Sequence, residues 1–174
     1  MKRRNFMQKT LMTTSAVALG VVSQTNAFEK LSTQQNFDFM TDSHPNIILI
    51  HAFFKAYAAN DSNGIKKILA TNIKWHIPGE HPLSGTKNGV DEVLGYFNDL
   101  KKGAFKAEPI VMGVNDDYVI DCHRNWSNLE KEDNLDNMSC LLWKIENNVI
   151  VEVFNFPENQ QLVDVFFSKL YGKS

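Results

Sequence analysis

His76, Asp121 and His123 are the side chains in this sequence whose type and placement suit proton transfer. Imidazole titrates near neutral pH, so either histidine can act as acid or base, and a carboxylate can join it in an apolar surround. Asp121, His123 and Asn125 share one parity of a strand-like run, while Ile120, Cys122 and Trp126 share the other. Polar and apolar faces therefore separate. The polar stripe reads either as a solvated or dimer-facing surface or as the acid/base wall of a site. His76 alternates with Lys74, and Ile73, Trp75 and Ile77 take the opposite face. If the apolar face lines a cavity, His76 points away from it, unless both faces of the sheet are covered. His81 falls in a short, stiff loop from Pro78 to Gly85 and reads as a loop residue at the mouth of such a cavity. The sequence has no dense His-x-x-x-His spacing with a nearby acid, no glycine-rich phosphate loop and no serine nucleophile elbow, so neither a metal nor a cofactor is expected.

The elements that must position these residues are legible from periodicity. Ser43 or His44 before Pro45 suits a helix start, and Ile47, Ile50, Phe53, Phe54 and Tyr57 recur at helical spacing up to about Asn60. Asp61 to Gly64 can cap a short second helix with Ile65, Ile68 and Leu69, after which Asn72 to Ile77 alternates as a strand that Pro78-Gly79 stops. A third helix is expected from Val90 to Lys101 on Val90, Val93, Leu94, Phe97 and Leu100. Four strand-like runs follow, Phe105 to Val114, Tyr118 to Ser127, Asn137 to Ile145 and Val149 to Phe156, with turn-formers between them. A closing helix over Gln160 to Leu170 is expected to pack through Leu162, Val165, Phe166 and Leu170. Helices followed by an antiparallel meander define an α+β chain.

Residues 1–27 have the three-part grammar of a removable signal: a basic head, a mildly apolar run from Leu11 to Val22, and the small-residue end Thr25-Asn26-Ala27. The run is too short for the ~20 residues of a membrane span. Arg3-Arg4-Asn5-Phe6-Met7-Gln8-Lys9 resembles the twin-arginine export motif, the alternative being an ordinary secretory signal with two arginines. Cleavage would place the protein in the periplasm or outside the cell, with no membrane anchor. Residues 28–44 read as a loose polar lead-in and 45–174 as one domain. Removing 1–27 takes four basic residues and no acidic one from a chain of 18 basic and 20 acidic residues, leaving 14 against 20. Such an acidic domain lacks the electrostatic footprint of a nucleic-acid binder. Cys122 and Cys140 read either as a disulfide formed in an oxidising compartment or as two buried thiols on neighbouring strands.

Ile73-Lys74-Trp75-His76-Ile77-Pro78-Gly79, Pro82-Leu83-Ser84-Gly85, Gly89, Val93 to Phe97 and Val149 to Pro157 resemble the SnoaL-like branch of the nuclear transport factor 2-like superfamily. The resemblance covers roughly Asn46 to Leu170. It implies a cone-shaped, strongly bent antiparallel sheet wrapped around N-terminal helices, with an apolar cavity open at one end and often a homodimer through the outer sheet face. It implies, too, that Trp75, His81, Leu83, Tyr96, Trp126, Trp143 and Asn155 contact a small apolar or aromatic molecule. In the steroid isomerase relatives a carboxylate base works with an oxyanion hole of a tyrosine and a protonated aspartate. Here the base position falls on His76, while the two oxyanion positions fall close to Phe53 and Leu141, neither of which can donate a hydrogen bond. A steroid isomerase of that kind is therefore not expected. Two readings stand: a binding domain of unassigned activity, or a cofactor-independent cyclase or isomerase.

Overall fold

The structure is a computed structural model that describes residues 44–130 and 134–172. The expected signal and the lead-in up to residue 43 lie outside the described residues. His44 opens the first helix, α1 (Pro45–Ala58), by accepting the Asn46 N–H on Nδ1 at 3.1 Å, with Pro45 in the first turn. Asp61 caps α2 (Ser62–Ile68) through the Gly64 N–H at 2.9 Å. The chain then runs through β1 (Leu69–Ile77), β2 (Gly85–Asn88), α3 (Val90–Leu100) and a single 3-10 turn at Lys101–Gly103. The four remaining strands are β3 (Lys106–Val114), β4 (Tyr118–Trp126), β5 (Asp136–Glu146) and β6 (Val149–Pro157), and α4 (Gln160–Tyr171) closes the fold. Among the described residues no helix is long and apolar enough to cross a membrane.

The α+β class is as expected: helices lead into one strongly curved, unclosed six-stranded sheet of order β2-β1-β6-β5-β4-β3. Its junctions are antiparallel except one. β1 lies parallel to β6, because the last strand of the meander returns beside the first strand of the chain. β2 was not foreseen. It is a four-residue polar edge strand against Lys74–Ile77 of β1, with no apolar alternation to betray it.

The core lies between the concave face of the sheet and the helices. Phe53 of α1 sits at its centre, its ring within 4.9–6.2 Å of Phe54, Tyr57, Trp75, Phe97 and Trp143. These edge-on, tilted and stacked contacts add directional attraction to the area they bury. The apolar face expected on the closing helix is displaced by one position. Val163, Phe166 and Phe167 are buried, whereas Leu162 and Val165 are 43% and 67% exposed. The stripe Val163, Phe166, Phe167, Leu170 keeps helical spacing and brings two aromatic rings rather than one onto Phe105.

Candidate functional site

Register places one set of β4 and β5 side chains inside. Asp121 pairs with Leu141, His123 with Ser139 and Asn125 with Asn137, and all six face the helices. The polar stripe of β4 is therefore internal, and the reading of it as a solvated or dimer-facing surface is corrected. Ile120, on the parity expected to be buried, is 43% exposed.

Asp121 is 2% exposed and satisfied on both oxygens. Oδ1 accepts from His123 Nδ1 at 2.7 Å and Oδ2 from the indole Nε1 of Trp143 at 2.5 Å. A buried carboxylate without partners would be too costly to keep, and these two donors compensate it. The assignment that satisfies the network puts the His123 proton on Nδ1, leaving Nε2 as the ring nitrogen able to accept. Asp121 and Trp143 thus orient His123, which is the member of the trio that reaches the cavity.

That cavity measures about 200 Å³. Its aromatic wall comes from Phe53, Phe54 and Tyr57 of α1, Trp75 of β1, and Tyr96 and Phe97 of α3. The opposite side is polar: His123, Asn125, Asn137, Ser139 and Asn155. Asn125 and Asn137 both donate to Ser139 Oγ, at 3.0 and 3.2 Å, and Asn137 Oδ1 accepts the Asn159 N–H that opens α4. Asn155 differs from them, because its Oδ1 is buried without a hydrogen-bond partner. Burial raises the pKa of both lining phenols, Tyr57 and Tyr96, so each enters the site as a neutral hydroxyl. A second recess of about 380 Å³ beside the α1–α2 turn shares Tyr57, Phe97, Leu100 and Phe105 with the first as a common wall.

Of the residues expected at the site, Trp75, Tyr96, His123 and Asn155 line the cavity. Asp121 and Trp143 lie directly behind His123. His76 sits on the other face of β1. It stacks on Phe154 at 4.4 Å and bonds Thr86 Oγ1 and Glu152 Oε1 at 2.9 and 2.8 Å. Trp126 is likewise on the outer face, beneath the Arg124 guanidinium at 5.0 Å. His81 is no open loop residue: it is 5% exposed, accepts the Leu83 N–H on Nδ1 at 3.2 Å, and stacks at 4.7 Å on Phe167, which lines the cavity. Leu83 is core. Sequence reasoning missed Tyr57, Asn137 and Ser139 as lining groups, although Asn137 and Ser139 share the parity of Trp143 along β5. Among the described residues no group of three or more His, Cys, Asp or Glu side chains could hold a metal ion.

No protein-family model matches the chain, and no curated protein matches it in sequence. Solved structures do match its fold. A nuclear transport factor 2-like protein of unknown function from Burkholderia pseudomallei superposes with a TM-score of 0.63 at 16% identity, over 75% of this chain and 99% of that one. TerC, co-crystallised with polyporic acid, gives 0.62 at 16%, over 75% and 100%. A protein assigned as a SnoaL-like polyketide cyclase, from a Jannaschia species, gives 0.59 at 12%, over 75% and 94%. The chain has the nuclear transport factor 2-like fold. At these identities the match defines architecture, and function has to be argued from the cavity.

Proposed function

We propose that the cavity binds a small flat molecule of about one aromatic ring that carries a hydroxyl or N–H group. The observation that carries this reading is Asn155 Oδ1, a buried acceptor without a partner in a cavity whose opposite wall is aromatic. Such an acceptor costs about 1–3 kcal/mol until a donor reaches it. The size follows from volume: a dry cavity of about 150 Å³ already accommodates benzene, and this one is about 200 Å³. That TerC was co-crystallised with polyporic acid supports small-molecule binding in this fold. Trp75 and nearby Trp143 provide the test by fluorescence. Simple phenols are expected to quench and toluene to bind more weakly, with the preference for phenol lost in Asn155→Leu. Equal binding of phenol and toluene by the unmodified protein would sink this reading.

A second reading, catalysis by proton transfer, is favoured by one observation: His123 lines the cavity with Asp121 fixing its Nδ1. An imidazole so oriented can take a proton from a bound carbon acid on Nε2 and return it elsewhere, the operation a cyclase or isomerase needs. Phe53 and Leu141 both line the cavity as apolar groups, so an enolate would have to rely on Tyr57, Tyr96 or the asparagines. Deuterium exchange into a bound ketone is the readout. It should vanish in His123→Phe while binding persists.

Two further parts of the reading concern the protein's surroundings. Residues 1–27 serve as a twin-arginine export signal, supported by Arg3-Arg4 and the spacing to Lys9. Replacing both arginines by lysine should leave precursor in the cytoplasm, whereas unchanged export would remove the twin-arginine route. The outer sheet face, where Ile110, Ile120, Met138 and Phe156 are 43–58% exposed, is covered by a second copy of the chain.

A further inference from the structure

On the outer face of the sheet Cys122 and Cys140 stand directly opposite each other in the antiparallel β4–β5 register. Their Sγ atoms are 2.8 Å apart and both residues are half-buried. Directly opposed residues of an antiparallel pair have Cα atoms about 4.5–5.5 Å apart, inside the roughly 4.4–6.8 Å that a disulfide spans. Neither thiol is near the cavity, because their parity is opposite to that of Asp121, His123, Ser139 and Leu141. Among the described residues no third Cys, His or acid joins them as a metal ligand. We propose that Cys122 and Cys140 are a modification site, closed within one chain as a cross-strand disulfide by exchange with a disulfide donor, either a small-molecule disulfide such as oxidised glutathione or a protein disulfide.

The chemistry balances as two successive displacements. The Cys122 thiolate attacks one donor sulfur, the donor S–S bond breaks, and the first donor thiolate leaves. Cys140 then loses its proton and attacks Cys122 Sγ in the mixed disulfide, forming the protein S–S bond and expelling the second donor thiolate. The protein loses two electrons and two protons, and the donor is reduced to two thiols. The hydrogen bond with Cys122, together with burial, pushes the Cys140 thiol up to about 11, and the same balance holds with Cys140 entering first. The bond would tie the backs of the two strands whose fronts carry Asp121, His123 and Ser139. A one-residue slip of β4 on β5 would turn those side chains outward, and the bridge forbids it.

The full chain, equilibrated with equal concentrations of oxidised and reduced glutathione, then denatured and alkylated, tests this. No alkylated cysteine is expected before treatment with a strong dithiol reductant and two per chain after it, with the Cys122 and Cys140 peptides linked in a species that migrates as a single chain. Two free thiols at that poise, a stable glutathione adduct on either cysteine, or a bridge between two chains would each overturn the proposal. Amide exchange separates the pinning role. Exchange along β4 and β5 should quicken on reduction in the native chain but not in a Cys122→Ser/Cys140→Ser variant, and unchanged rates in the native chain would remove that role.

Discussion

The two faces of the β4–β5 ladder invert the usual distribution of polarity. The inner face carries Asp121, His123, Asn125, Asn137 and Ser139 beneath the helices, while the outer face shows Ile120, Met138 and the neighbouring Phe156 to solvent. Scattered apolar groups on a surface need no explanation, but a buried polar lane and an exposed apolar stripe back to back do. On the inside Asp121, His123, Asn125, Asn137 and Ser139 are paired with one another or to Trp143, whereas Asn155 Oδ1 and His81 Nε2 are buried without a partner. On the outside none of the described residues covers the stripe. On the proposed function the two faces do different jobs: the inner face should govern stability and ligand binding, the outer face association.

The largest effect is expected where the aromatic wall meets the sheet. Phe53→Ala removes the ring against which Trp75, Phe97 and Trp143 pack, and should cost about 4 kcal/mol in urea unfolding. A loss under about 1 kcal/mol would mean the cluster collapses into the cavity without penalty, and the inner face would lose its claim to dominate stability.

Asp121→Ala comes next, at about 3 kcal/mol, because it orphans two buried donors, Trp143 Nε1 and His123 Nδ1. Asp121→Asn, whose side chain keeps one acceptor oxygen, should lose roughly half as much. Equal losses in the two variants would show that packing rather than hydrogen bonding sets the value of Asp121.

On the outer face, Phe156→Ser together with Ile120→Ser should change monomer stability by no more than about 0.5 kcal/mol each, since both side chains are about half exposed. Sedimentation should instead show self-association weakened. A stability cost matching that of Asp121→Ala would erase the contrast between the faces.

Much of the fold was legible because its punctuation is local. His44-Pro45 and Asp61 to Gly64 announce helix starts through side chain to backbone bonds two or three residues long. What escaped depends on partners distant in sequence. The inward turn of Asp121 is explained by Trp143, 22 residues on, and nothing in the alternation of β4 reveals that a ring nitrogen waits there. His123 was a candidate, but its distinction from His76 is one of facing alone. Both histidines have a carboxylate within 2.8 Å, and strand parity decides which one meets the cavity: His76 faces away from the side of β1 that carries Trp75, whereas His123 shares the inward parity of Asp121. The offset of α4 has a similar origin: Leu162 and Val165 are apolar enough for core, and the position of Phe105 selects Phe166 and Phe167 instead.

The smallest effect expected is a pH slope set by His81, on the inner side of the fold but behind the cavity wall. Its Nδ1 accepts the Leu83 N–H, so the folded protein holds the ring neutral. Burial lowers its pKa, Lys87 adds to that, and the Asp164 carboxylate and the Pro78 backbone act in the opposite sense without reversing it. In the unfolded chain the ring titrates near about pH 6.5. Between that value and the lower folded one the unfolded state binds more protons, so stability is complete above about pH 6.5 and falls as pH drops through the window. His81→Gln can retain an acceptor for Leu83 while removing the titration. Urea midpoints between about pH 7 and about pH 5 should therefore decline less in His81→Gln than in the unmodified protein. Parallel declines would assign the acid sensitivity to other groups and leave His81 as a packing partner of Phe167 alone.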